Sequence, residues 1–388
     1  MMRTLAGLIL AMLLSGCVSG LKYGDTPHAQ LSAGPVCNPV SGQKPAGAAE
    51  PYFAVTSRLP DCRDGTVKLT SYRTDALRYG RFAITPTGAA KKDDGDLAFA
   101  FAAEQLWWGE LAAQAAKNDG RVLLYVHGYR ENFSRSARDT AQIKRLSGFN
   151  GPVIHYSWPS IGELLSYTVD QTSVSWDVNN FRSFLKRLAQ QPWTKDIVVV
   201  SHSMGARLAI PGILYVDRTA TAQSAKALSN IILVSPDYDR QIFTEQTGPQ
   251  LLAADRVKAG RRLTLYVSDS DQALDVARTV HGYPRLGRPY CFDPFEAQRL
   301  AARGLPERCY PSIATSGLRI IDTTDLSIGS GHSNYLRSAN VCEDFAATVK
   351  SQTAQRRATD LPYVFSLTGY GEKEKPAHDD ICMRFLAS

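Results

Sequence analysis

The sequence lacks the patterns that mark several large classes of protein. It has no internal repeat and no low-complexity tract, which excludes solenoid and fibrous architectures. Its 44 Lys and Arg residues form no run of five or more, and no nucleic-acid motif accompanies the formal net charge of +7. The apolar run over residues 5–14 is too short to span a bilayer as a helix. A globular protein without a nucleic-acid partner is therefore expected.

The composition is that of an ordinary folded chain. Its 388 residues are 44% hydrophobic and 21% charged, enough to bury a sizeable core in one large domain or two modest ones. The basic balance predicts a soluble surface that is favourable near anionic lipid or cell-wall polymer.

The first residues have the pattern of an export signal. A positively charged start, the apolar run over residues 5–14 and the small residues Ser15 and Gly16 predict a secretory signal peptide over residues 1–16. The segment Leu14–Cys17 resembles the lipobox of bacterial lipoproteins. That resemblance implies lipid attachment at Cys17, a stable membrane anchor and, because residue 18 is not Asp, the outer membrane facing the periplasm. A plain signal peptide with a chance cysteine is the alternative.

Cysteine is sparse, and no CxxC pair or Cys/His cluster has metal-ligand spacing, so neither a metal nor another cofactor is expected. An even number of cysteines remains after Cys17, which in an oxidising compartment predicts disulfides. Proximity along the chain favours the pairs Cys37–Cys62, Cys291–Cys309 and Cys342–Cys382.

Two stretches of different character follow the signal. Residues 17–66 are rich in Gly, Pro, Ala and Ser without periodicity, which predicts a lipidated tether or N-terminal extension. Residues 67–388 are predicted to form the folded domain. Residues 67–72 and 79–84 alternate as early strands, and residues 97–117 have an Ala-rich helical pattern. The buried strands are expected at 122–126, 152–156, 197–200, 231–234, 263–267 and 318–321.

Helix-like segments separate these apolar strands. The alternation predicts an α/β fold with a mostly parallel central sheet and helices on both faces. In such sheets the functional residues collect at the carboxyl ends of the strands.

The segment IVVVSHSMGA, residues 197–206, runs from a buried strand through a tight turn into a helix. It has the nucleophile-elbow pattern GxSxG with Ser201 in place of the first glycine. The turn requires small residues two before and two after the nucleophile, and Ser201 and Gly205 meet that requirement. Ser203 is therefore the predicted nucleophile, and a serine-rich strand end is the alternative.

The segments VHGYRENF, HYSWPS, VVSHSMGARL, VSPDYDRQIF, LYVSDSDQAL and GHSNYL resemble a bacterial esterase/lipase-like α/β-hydrolase family of largely unknown function. The resemblance covers roughly residues 67–350 and implies a serine hydrolase fold. It implies that the backbone N–H groups of Tyr129 and Met204 form the oxyanion hole, with His127 structural. Arg130 is a loop residue or orients an anionic substrate.

The remaining members of the triad are placed by chain order. His332 follows the last strand, where this fold carries its base, whereas His281 comes too early. Asp271, after the strand at 263–267, is the predicted acid, with Asp269 second and Asp237, one strand earlier, as a rival.

These residues predict a carboxylesterase-like acyl hydrolase with a Ser203, Asp271 and His332 triad. The short connection from 235 to 262 predicts a small lid and an open site for small esters or acyl groups of the cell envelope. The alternative is a catalytically weak or inactive hydrolase-fold lipoprotein that binds or assists envelope assembly. The sequence does not indicate an oligomeric state.

Overall fold

The computed structural model describes residues 28–38, 51–85, 96–163, 165–352 and 354–367. The predicted signal peptide and Cys17 lie outside these residues. The described strands form one sheet in the order β10-β11-β9-β8-β7-β6-β4-β5-β1-β2-β3. In chain order they are β1 Tyr52–Asp61, β2 Lys68–Thr85, β3 Asp96–Phe101, β4 Arg121–Val126, β5 Val153–Ser157, β6 Asp196–His202, β7 Asn230–Val234, β8 Arg262–Val267, β9 Leu318–Asp322, β10 Arg357–Ala358 and β11 Val364–Ser366.

Helices cover both faces of the sheet. The longer ones are α1 Glu104–Ala116, α2 Phe133–Ser147, α3 Tyr167–Ala189, α4 Ala206–Thr219, α5 Gln272–His281, α6 Pro294–Ala302 and α7 Ala339–Val349. Shorter α-helices are His28–Leu31, Ala222–Ala227, Arg240–Ile242, Gly248–Leu251 and Ala254–Lys258. No helix among the described ranges has the length and apolar character needed to cross a membrane.

The centre of the sheet is parallel, from β11 through β9, β8, β7, β6, β4 and β5 to β1, and β2, β3 and β10 pair antiparallel at its two edges. Each central strand is buried on both sides. In β4, Leu124 packs into one core cluster and its neighbours Leu123 and Tyr125 into the other, and all three are fully buried. The predicted α/β-hydrolase architecture is confirmed.

The sheet begins earlier than residue 67. β1 lies within the stretch predicted to be a tether, and it pairs with β5 and β2 inside the sheet. The predicted strands at 67–72 and 79–84 are parts of the single long strand β2. The helical prediction for 97–117 is wrong over its first residues, because β3 ends at Phe101 and α1 begins at Glu104.

Two of the predicted disulfides are confirmed. Cys37–Cys62 joins the turn at 35–37 to the residue after β1, and Cys291–Cys309 closes part of the connection between α5 and β9. The third predicted pair includes Cys382, which lies outside the described residues. Disulfides are typical of secreted and envelope proteins.

Candidate active site

Ser203 lies at a sharp turn between β6 and α4. Its φ of 52° is in the left-handed region, which costs a non-glycine residue free energy and is typical of a nucleophile elbow. A Cβ at Gly205 would lie 2.6 Å from the carbonyl oxygen of His127 and 3.1 Å from Ser201 Oγ. Residues two before and two after Ser203 therefore touch, as the sequence pattern requires.

The loop after β4 packs directly against this turn. A Cβ at Gly128 would lie 2.9 Å from the Cβ of Ser203, so only glycine allows the approach. The ring of His127 is fully buried, with Nδ1 2.9 Å from the oxygen of Gly128 and Nε2 3.1 Å from that of Trp158. Burial lowers the pKa of His127 well below its ordinary value, so this imidazole is neutral and structural.

Two charged side chains that sequence reasoning did not identify hold this loop and the loop after β5 together. Arg58, on β1, donates to the carbonyl oxygens of Glu131 and Ser160, each at 2.8 Å. Asp170, on α3, accepts from the N–H of Arg130 at 3.2 Å and from Ser160 Oγ at 2.6 Å. Both side chains are buried, and nothing in the local sequence of either signals this long-range role.

His332 and Asp271 are in direct contact. Nδ1 of His332 lies 2.8 Å from Oδ2 and 3.0 Å from Oδ1 of Asp271. Asp271 follows β8, is fully buried, and accepts from the N–H of Leu274 at the start of α5, so its carboxylate is fixed. The contact is the one by which a triad carboxylate orients an imidazole.

The environment of His332 favours its protonated form. Burial lowers the pKa of this imidazole, but the charge of Asp271 and its hydrogen bond raise it by more, so the net shift is upward. Asp271 therefore fixes the orientation of the His332 ring and favours its protonated form.

His202 connects the His332 segment to the nucleophile turn. Its Nε2 lies 3.1 Å from the carbonyl oxygen of His332, its Nδ1 lies 3.2 Å from Glu131 Oε1, and the two imidazole centroids are 4.8 Å apart. His202 directly precedes Ser203, so the His332 segment is adjacent to the nucleophile. In the described part of the chain no hydrogen bond joins the Ser203 hydroxyl to His332.

The two alternative acids make other contacts. Asp237 accepts from Arg285 Nε at 2.7 Å, Arg207 Nη2 at 3.0 Å and the Tyr167 hydroxyl at 2.6 Å. Asp269 forms an ion pair with Arg288, in which Oδ1 lies 3.4 Å from Nε. Neither carboxylate is hydrogen-bonded to His332. The negative charge of Asp237 nevertheless helps to raise the pKa of His332.

Asp237 and its partners form a network of charged side chains beside Ser203. The N–H of Asp237 donates to the carbonyl oxygen of Ser203 at 3.0 Å, and Arg207 Nη2 donates to His281 Nε2 at 2.9 Å. Burial and the two neighbouring arginines lower the pKa of His281. Arg207 follows Ser203 by one helical turn, and this spacing is the signal that could have identified it.

The described residues contain no cluster of His, Cys, Asp and Glu that could hold a metal ion. The site instead offers a hydroxyl, an imidazole and a carboxylate in the order and fold positions of a serine hydrolase.

The model of an α/β-hydrolase family of unknown function, DUF900, matches residues 103–350 of the chain. The chain belongs to this family. The match spans β4, the nucleophile turn, Asp271 and His332, so the site described above lies inside the family's common region. No curated protein matches the chain.

A solved structure titled as a predicted CIB-like hydrolase from Thermoplasma acidophilum is also similar to the chain. The two share 15% sequence identity, and the similarity covers 71% of this chain and 91% of that one with a TM-score of 0.33. At that score the similarity carries no argument about function. Membership of DUF900 and the observed fold support a hydrolase-like function.

Proposed function

We propose that this DUF900 protein is a serine hydrolase that cleaves carboxylic esters with Ser203 as nucleophile, His332 as general base and Asp271 as the orienting acid. The observation that carries the proposal is the approach of both carboxylate oxygens of the buried Asp271 to Nδ1 of His332, whose partly buried imidazole lies next to a strained turn at Ser203. A histidine with only a structural role would not require a buried carboxylate at Nδ1 next to a serine with a positive φ.

The chemistry follows the standard acyl-enzyme route. Nε2 of His332 removes the Ser203 proton as Oγ attacks the ester carbonyl, and the resulting imidazolium returns that proton to the leaving alkoxide. Water then attacks the acyl-enzyme by the same proton transfers in reverse order. The N–H groups of Tyr129 and Met204 are proposed to stabilise the oxyanion in both steps.

The connections around the site favour a small or accessible ester. Residues 235–261 contain the consecutive helices Arg240–Ile242, Phe243–Thr247 and Gly248–Leu251, of which the middle one is a π-helix, and the short helix Ala254–Lys258, so no lid domain is inserted there. Ester groups on short acyl chains or on envelope molecules are the proposed substrates. A membrane anchor at Cys17, at the outer membrane facing the periplasm, is proposed from the lipobox resemblance.

Covalent labelling tests the proposal most directly. A fluorophosphonate probe should label the wild-type chain and not the Ser203→Ala variant, and hydrolysis of p-nitrophenyl esters should be lost with the label. Ser175→Ala is the matched control, because Ser175 lies exposed on α3 and its hydroxyl bonds only to the Gln171 carbonyl. Labelling of Ser203→Ala equal to wild type, or none in a folded wild-type chain, would favour a binding role instead.

A further inference from the structure

A polar cavity of about 300 Å³ lies at the amino ends of β7, β8 and β9. The strands are parallel, so this edge is opposite the carboxyl ends that carry Ser203 and Asp271. The five residue steps along β8 separate the two edges by about 16 Å, at about 3.3 Å per residue. The cavity is lined by Ser229, Asn230, Gly260, Arg262, Arg319, Thr348, Ser351, Gln352 and Arg356.

The pairing of the strands brings two of the arginines together. Thr264 is the register partner of Arg319, and Arg262 lies two residues before Thr264 on β8. Side chains two apart on a strand share a face, so Arg262 and Arg319 project on the same side of the sheet. Arg356 reaches this side from the segment that follows α7.

The positive charge in the cavity is only partly neutralised. Arg356 is paired with the buried carboxylate of Asp344, with Nε 2.6 Å from Oδ2. Arg262 donates to the carbonyl oxygens of Arg261 and Val257, and no carboxylate of the described residues pairs with it. Across the described ranges, Arg319 makes no hydrogen bond or ion pair. Burial lowers the pKa of Arg319, and the neighbouring charges of Arg356 and Arg262 lower it further.

The lining also excludes an apolar ligand. Each lining residue is polar, charged or glycine, whereas pockets for apolar molecules are lined mainly by hydrophobic side chains. Guanidinium groups present planar pairs of N–H donors that match the oxygens of phosphate. A phosphate group would supply the negative charge that Arg262 and Arg319 lack.

We propose that this cavity is a binding site for a phosphate oxyanion, held by Arg262, Arg319 and Arg356. Its volume accommodates inorganic phosphate or a phosphate ester with a small substituent, such as the glycerol phosphate of a lipid headgroup. The site is separate from the nucleophile edge, so this proposal does not rest on the proposed hydrolase activity.

Calorimetric titration of the full chain tests the site, with inorganic phosphate and with glycerol phosphate against sodium chloride at equal ionic strength. The wild-type chain should bind phosphate, and Arg319→Gln should weaken that binding at least tenfold. Arg299→Gln, at an exposed position on α6, is the matched control and should bind like wild type. Tighter binding of glycerol phosphate would indicate a phosphate ester as the ligand, and equal or weaker binding would indicate free phosphate.

Two outcomes overturn the proposal: phosphate that produces no more heat than chloride, or Arg319→Gln that binds as wild type does. Unfolding curves without phosphate check the variant, which removes like-charge repulsion and should melt close to wild type. If Arg319→Gln does not fold, Arg262→Gln provides the same comparison.

Discussion

At the scale of single residues, the contact between Asp271 and His332 makes the proposed chemistry depend on pH. A general base must be unprotonated, so kcat/KM should rise with pH through the pKa of His332 in the free protein. The ordinary pKa of histidine is near 6.5, and Asp271 raises the pKa of His332 above it. The increase in kcat/KM should therefore occur at a pH above 6.5. The same carboxylate makes the imidazole a stronger base once it is deprotonated.

Replacing the carboxylate should change both the rate and its pH dependence. Asp271→Asn should lower kcat/KM by about 10³- to 10⁴-fold, because the imidazole loses its orientation and the stabilisation of its charge. Loss of the negative charge also lowers the pKa of His332, so the remaining acid limb should move to lower pH. Asp269→Asn, the other carboxylate after β8, is the control and should stay within a few-fold of wild type. The reverse ranking of the two variants would show that the acid is misassigned.

His202 should act as a positioning residue for His332. His202→Phe keeps a ring against His332 and Tyr335 but removes the hydrogen bonds to Glu131 and to the His332 carbonyl. Losing one to two hydrogen bonds of about 1 kcal/mol each should lower kcat roughly tenfold and leave KM little changed. Steady-state kinetics should show the lower kcat at a nearly unchanged KM. Fluorophosphonate labelling of Ser203 should be slowed to a similar extent. Unchanged kcat would mean that His202 only fills space.

At the scale of elements, the nucleophile turn depends on glycine for steric reasons. The added methyl group of Gly205→Ala would clash with the carbonyl oxygens of Val126 and His127, and crowding of this kind costs about 1–3 kcal/mol. The variant should unfold at lower denaturant concentration and label poorly. Gly109→Ala, in the exposed middle of α1 where a Cβ meets nothing, should instead gain up to about 1 kcal/mol of stability. Equal unfolding midpoints for the two variants would contradict the tight turn.

The elements that the sequence predicts well are those whose signals are local. Strands buried on both faces are continuously hydrophobic, so the apolar runs of the sequence predict β4 to β9. The positions of Ser203, Asp271 and His332 are predicted from the strands that precede them, and the last two are in contact, while their catalytic roles stay a prediction. The two short-range disulfides were likewise suggested by proximity along the chain.

The elements that it predicts poorly depend on distant partners. β1 begins with the run YFAVT, which favours a strand, but Arg58 and Pro60 follow it and the Gly- and Ala-rich residues before it predict a tether. The buried Arg58 is compatible with the sheet only because the loops after β4 and β5 supply carbonyl oxygens to its guanidinium. Asp170 and the Asp237 network join elements far apart in the chain, and no spacing rule connects them.

At the scale of the whole molecule, the N-terminal strands and the edge of the sheet that carries Ser203 form one structure. Phe53, Ala54 and Val55 of β1 are fully buried and lie between β5 and β2. Arg58 continues that strand beneath the loop that carries the proposed oxyanion donor Tyr129. A domain that begins at residue 67 would therefore lack an interior strand and the side chain that holds the loop next to Ser203.

Two truncated chains test this dependence. A chain that begins at residue 67 would expose the edge of β5 and leave the carbonyl oxygens of Glu131 and Ser160 without their partner Arg58. Burial of large apolar side chains contributes about 1.5–3 kcal/mol each, so loss of β1 should remove most of the folding free energy. We expect this chain to be insoluble or to unfold without a cooperative transition, whereas a chain that begins at residue 28 should melt cooperatively and react with the fluorophosphonate. If the shorter chain melted and reacted like the longer one, β1 would be an appendage to the sheet, and the oxyanion loop would be held without Arg58.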